Sequence, residues 1–145
     1  MVEFAIILPL LLLLIFGMIE FGCIFYDMQV LTNAAREGAR YGIVSKNPRY
    51  NEGAITTHVN NYCANRLVSL KATSAPKTTV ACIKADGTIG NACTAMSQWP
   101  DNPEYLKVEV TYIYGFLVFP KLDSLLGGSF DGTLTLTKSA TMTCE

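Results

Sequence analysis

Residues Phe4 to Ile19 read FAIILPLLLLLIFGMI and contain no charged side chain. Beyond Glu20 the apolar character resumes through FGCIFY to Tyr26. A span of about 20 apolar residues is what a helix needs to cross a bilayer. A helix that is greasy all round cannot be satisfied by packing one face on a small domain, so its solvent has to be lipid or other apolar helices. An export signal has a shorter apolar core behind a positively charged start. Here the first basic residue is Arg36, and an acid stands at position 3. Residues 1–26 are therefore expected to form a transmembrane or filament-core helix.

The helix is not expected to stop at Tyr26. DMQVLTNAAREGARYGIV continues without proline, and its apolar and small residues fall at spacings of three and four. Residues 27–45 read as an amphipathic continuation. Helical from Val2 to Val44, the element is ~65 Å long. Ala34, Ala35, Gly38, Ala39 and Gly42 make a small-residue ladder that admits a second backbone closely. That backbone belongs either to a neighbouring helix or to the chain's own domain. Pro9 lies within the apolar run and is expected to remove one helical hydrogen bond, with a kink or local loosening there.

Two acids sit in this greasy setting, Glu3 and Glu20. A carboxylate in hydrocarbon is costly unless it is paired or protonated. For Glu3 the obvious cation is an α-amino group, either that of Met1 or that of a neighbouring subunit. The intersubunit pairing would relieve the acid only at one axial offset, and so would set assembly register. Glu20 lies ~25 Å further along the helix, close to a bilayer's hydrocarbon thickness, and is expected near the opposite membrane face.

VEFAIILPLLLLLIFGMIEFGCIFYDMQVLTNAAREGARYG resembles the N-terminal signature of TadE/TadG-like proteins, the pilin-like components of tight-adherence (Flp-type) secretion systems. The VEFA start, the proline amid leucines, the IEFG step and NAAREGAR occur in the family's order, over about the first 43 residues. The resemblance implies a prepilin cut by a prepilin peptidase after a glycine, with Glu3 as the acid used in processing or assembly. In such pilins that acid stands fifth in the mature chain, whereas here it is third. The implied partners are the inner membrane, the Tad/type IV pilus assembly machinery and further copies of the chain. The implied destination is an extracellular filament on the cell surface.

Residues 46–145 are expected to form an exported α+β domain, pilin-like in plan. Pro48 and Gly53 break the long helix, and Asn51 or Gly53 can cap a second one over Glu52 to Leu70. Its apolar positions Ile55, Val59, Tyr62, Cys63 and Leu67 suit one buried face. KTTVACIK (77–84), YLKVEVTYIYGFLVF (105–119) and DGTLTLTKSATM (131–142) read as strands, and Asp86-Gly87 as a turn. The last two strands are expected to pair antiparallel with the first beside them, covering the amphipathic part of the long helix.

Cys23 lies in the apolar run, where a thiol behaves as a small hydrophobe. Cys63, Cys82, Cys93 and Cys144 lie in the polar remainder and suggest two disulfides and an oxidising compartment. Three pairings are possible. Cys82–Cys93, which closes a short loop, and Cys63–Cys144, which ties the second helix to the last strand, are the expected ones. Zinc is the rival, but the chain has no CxxC pair and one histidine, His58.

His58 is expected to be a solvated surface residue among Thr56, Thr57, Asn60 and Asn61. GxSxG, HExxH, Walker A, GxGxxG and CxxCH are all absent, so neither enzymatic activity nor a cofactor is expected. The net charge of −1 offers no basic field for nucleic acid. Three functions stay open: a structural filament subunit, a minor pilin-like priming factor, and a membrane-anchored adhesin using loop 85–103.

Overall fold

The computed structural model describes residues 2–44, 51–68, 74–83, 87, 89–90, 105–117 and 132–143, with side chains in the first helix from Ile7 onward. A single helix, α1, runs over Val2–Val44. Pro9 sits inside it and the helix passes through unbroken. Helix α2 spans Glu52–Ala64, shorter than the expected Glu52 to Leu70. Its start is the expected one, since the Asn51 side chain accepts from the Ala54 N–H. Its end is set by hydrogen bonding. The Arg66 and Leu67 N–H groups both donate to Cys63 O, and the Val68 N–H turns to Asp27 on α1.

The strands are β1 (Lys77–Ile83), β2 (Ile89–Gly90), β3 (Tyr105–Gly115) and β4 (Thr133–Thr143). They form one antiparallel sheet in the order β2-β1-β3-β4. The three long strands are thus the expected ones in the expected arrangement. The two-residue β2 was not legible in the sequence. It follows Gly87, whose φ of 80° is a conformation that side chains disfavour.

Alternation in β3 puts Leu106, Val108, Val110, Tyr112 and Tyr114 on one buried face. That face packs on α1, and α2 closes the remaining side with Ile55, Val59 and Cys63. The strand and the helix run antiparallel, with matched lengths. Leu106 is beside Gly42, and the Leu117 backbone is beside Glu20. About 33 Å of helix separates Glu20 from Gly42, and about 36 Å of strand separates Leu106 from Leu117.

The cysteines correct part of the disulfide expectation. Cys63 is a free thiol, fully buried against the core, so it does not pair with Cys144. Its helical position turns the sulfur inward, and burial pushes the thiol up to about 11, with Arg66 nearby pulling the other way. Cys82 is disulfide-bonded. Cys93 and Cys144 lie outside the described residues, as does Trp99. Cys23 is free and half-buried, packed at the edge of the core.

Candidate functional site

The long helix has two surfaces, and the boundary between them is not where the hydropathy places it. The apolar run suggests a naked stem to Tyr26 with domain contact only beyond. Among the described side chains burial begins instead at Gly17 and follows one stripe through Glu20, Ile24, Asp27 and Leu31 to Gly42. These positions recur at three and four, so they share a face. On the opposite face the same stretch stays bare. Met18, Ile19, Phe21, Phe25 and Tyr26 are all exposed, as are Ile7, Leu8 and most of the leucines before them.

Both acids on the stripe are turned into the domain. Glu20 is 1% exposed and its Oε1 accepts a hydrogen bond from the Leu117 N–H just beyond β3. It is shielded from solvent by the domain. Asp27, a charged residue in the amphipathic continuation, is fully buried and accepts from the Val68 N–H at 2.8 Å. Each carboxyl therefore supplies the acceptor for a chain end that has no partner in its own element, one after β3 and one after α2. Glu20 Oε2, Asp27 Oδ2 and the Tyr114 hydroxyl are buried and make no hydrogen bond among the described residues. Burial, with the nearby Cys23, Glu20 and Asp27, pushes the Tyr114 phenol up to about 12. The result is a polar seam inside an otherwise apolar joint between stem and domain. The clue in the sequence was the seven-residue spacing of Glu20 and Asp27, which places both on the face of Ile24 and Leu31.

The small-residue ladder belongs to the same joint. Ala34, Ala35 and Ala39 are fully buried within the chain. A Cβ on Gly42 would stand 2.5 Å from Leu106 Cδ2 and 2.7 Å from Ile55 Cδ1, and one on Gly38 would meet Val59 Cγ2. The ladder therefore seats α2 and β3 of its own domain and is not open to a neighbouring stem. Gly22 differs, because nothing lies within 4 Å of where its Cβ would be.

Pro9 is exposed near the start of α1, and Glu3 is on the same helix at a position whose side chain is outside the described part. Met1 lies outside the described residues. His58 is not simply solvated. Its ring stacks on Tyr41 with centroids 4.5 Å apart, and its Nε2 stands 3.6 Å from Glu37 Oε1. An open cleft of about 610 Å³ beside it is lined by Tyr41, Asn51, Thr57, His58 and Asn61 among others.

Residues 1–40 match the family model described as TadE-like protein. This is the family that the stem resembles, and the match covers the stem without the domain. No curated protein and no solved structure matches the chain.

Proposed function

We propose that this chain is a structural subunit of a type IV pilus-like, Tad-type filament that serves surface attachment. Association with the Tad pilus machinery is the coarser part of this reading and rests on the family match over the stem. The observation that carries the finer part is the chemistry of the exposed stem. From Ile7 to Tyr26 the only ionisable carboxyl is Glu20, and the domain hides it. The surface left over is apolar around three sides. Such a surface is at home in the hydrocarbon of the inner membrane before assembly and against identical stems afterwards. Because Glu20 and Asp27 keep their backbone partners in both settings, moving from lipid to bundle unburies no carboxylate. In this reading Glu3 is the acid that reports whether a subunit has docked at the correct offset. Head-to-tail contacts of this kind propagate into helical filaments.

In this reading the chain has no catalytic role, and prepilin peptidase and the assembly machinery act on it as partners. A photo-crosslinking residue in place of Phe25, 64% exposed, tests the bundle directly. Crosslinks between two copies of this chain in the fibre fraction are the expected product. Adducts with other proteins alone would instead support a minor priming factor or an anchored adhesin.

A further inference from the structure

Each acid of the polar seam is only half satisfied. Glu20 Oε1 and Asp27 Oδ1 each accept one backbone N–H, while Glu20 Oε2, Asp27 Oδ2 and the Tyr114 hydroxyl make no hydrogen bond among the described residues. All three side chains are at most 1% exposed. The two acids stand seven residues apart on one face of α1, ~10 Å along its axis. The Tyr114 phenol feels the charge of both.

A buried carboxylate needs a cation, and the elements around the seam turn theirs elsewhere. On α1, Glu20, Cys23 and Asp27 face the phenol, whereas Arg36 and Arg40 are exposed. On β3, Tyr112 and Tyr114 face it, and Lys107 pairs with Glu109 at 3.1 Å. On α2, His58 stacks on Tyr41 beside Glu37. Just past α2, Arg66 lies over the Tyr62 ring at 4.0 Å, two residues before the Val68 that binds Asp27. On β1, Lys77 is exposed and opposite Thr111. On β4, Lys138 is opposite Val110, ~13 Å along the sheet from the pair of Tyr114 and Leu134. Among the described residues neither acid makes an ion pair. Charge buried without a counter-ion is costly, and a proton removes that cost.

We propose that Asp27 is a proton-operated latch between stem and domain, tight when its carboxyl is neutral and loosened when it ionises. Asp27 lies beyond the membrane-spanning stretch. Burial raises its pKa above the ordinary aspartate value, and the Val68 N–H pulls the other way. The neutral carboxyl still offers Oδ1 to Val68, so protonation keeps the hydrogen bond and removes the buried charge. The folded chain therefore holds a proton that the unfolded chain releases at lower pH. This contribution to stability is complete below the ordinary aspartate value of ~3.9 and is lost as pH rises through the raised one. Between the two values each pH unit shifts the folding equilibrium by up to about tenfold. Val68 is where the chain leaves α2, so the latch ties α1 to the α2 side of the domain. It operates whether or not the subunit enters a filament.

Carbon-13 titration of the full chain in dodecylphosphocholine micelles, labelled at the aspartate carboxyls, tests the latch. Asp86, Asp101, Asp123 and Asp131 serve as references in the same sample. The Asp27 signal is recognised by its through-space contact with the Val68 amide proton. Its midpoint is expected about one pH unit or more above the mean of the other four. Thermal melts of the parent and of Asp27→Asn give the second readout. The amide keeps an oxygen for Val68 and does not ionise. From about pH 4 to 7 the parent is expected to lose stability relative to Asp27→Asn, by a factor of several in the folding equilibrium. An Asp27 midpoint at or below those of the references overturns the proposal. A difference between parent and variant that stays constant with pH overturns it too. The titration is read on the parent alone, so it decides the question even if Asp27→Asn does not fold.

Discussion

Gly42→Ala is the sharpest test of how the stem is seated. The added methyl would stand 2.5 Å from Leu106 Cδ2 and 2.7 Å from Ile55 Cδ1, and both side chains are buried. Overpacking of this kind costs about 1–3 kcal/mol, and two simultaneous clashes put this site in the upper part of that range. Replacing glycine by alanine inside a helix returns about 1 kcal/mol. The net loss is therefore ~1–2 kcal/mol, which lowers Tm by roughly 2–4 °C for each kcal/mol in a chain near 150 residues. Gly22→Ala is the internal control. It adds the same methyl to the same helix where nothing lies within 4 Å, so only the favourable helical contribution remains. Thermal unfolding of the full chain in detergent micelles, followed by near-ultraviolet circular dichroism, reads both. Gly42→Ala is expected to melt several degrees below the parent and Gly22→Ala no lower than the parent. Equal melting of the two variants would refute the claim that the ladder faces the chain's own domain.

Two further outcomes follow from the same joint and a third from the start of the stem. Glu20→Leu leaves the Leu117 N–H without its acceptor and is expected to cost about 1–3 kcal/mol, whereas Glu20→Gln keeps an oxygen in place and should cost less. Equal melting of those two would show that the hydrogen bond contributes nothing. The Tyr114 phenol, raised from 10.0 to about 12, should resist ionisation in an ultraviolet titration of the native chain. In the same range the unfolded chain releases that proton first, so stability is fullest below pH 10 and falls as pH rises toward 12. A native Tyr114 that titrates like a free phenol would contradict its burial. Finally, Glu3→Ala is expected to stop fibre assembly while leaving the circular dichroism of the domain unchanged, and normal fibres from that variant would remove Glu3 from the mechanism.

The parts of this molecule that could be read from sequence are those with a local period. The charge-free run to Ile19 announces a helix in an apolar solvent, and the alternating segments 105–119 and 131–142 give β4 within two residues of its ends and β3 from its first residue, though β3 stops four residues earlier than expected. What could not be read depends on partners distant in sequence. Glu20 looks like an acid stranded in grease, because the N–H that satisfies it lies 97 positions away. Asp27 looks like a surface residue for the same reason, since its partner is Val68. The small residues from Ala34 to Gly42 fit an intersubunit seam as well as an internal one, and only the positions of Ile55, Val59 and Leu106 decide between them. Cys63 shows the limit of counting cysteines. Its place on the inward face of α2 makes it part of the core rather than half of a bridge. The apparent end of the stem moved from Tyr26 to Gly17 because hydropathy registers composition, whereas the domain contacts one face.

The most direct measurement is the stoichiometry of purified fibres. Fibres sheared from cells and analysed by quantitative mass spectrometry should contain this chain as the main protein component, in the copy number expected of a repeating subunit. Fibres in which it is only a trace would contradict its role as the structural subunit.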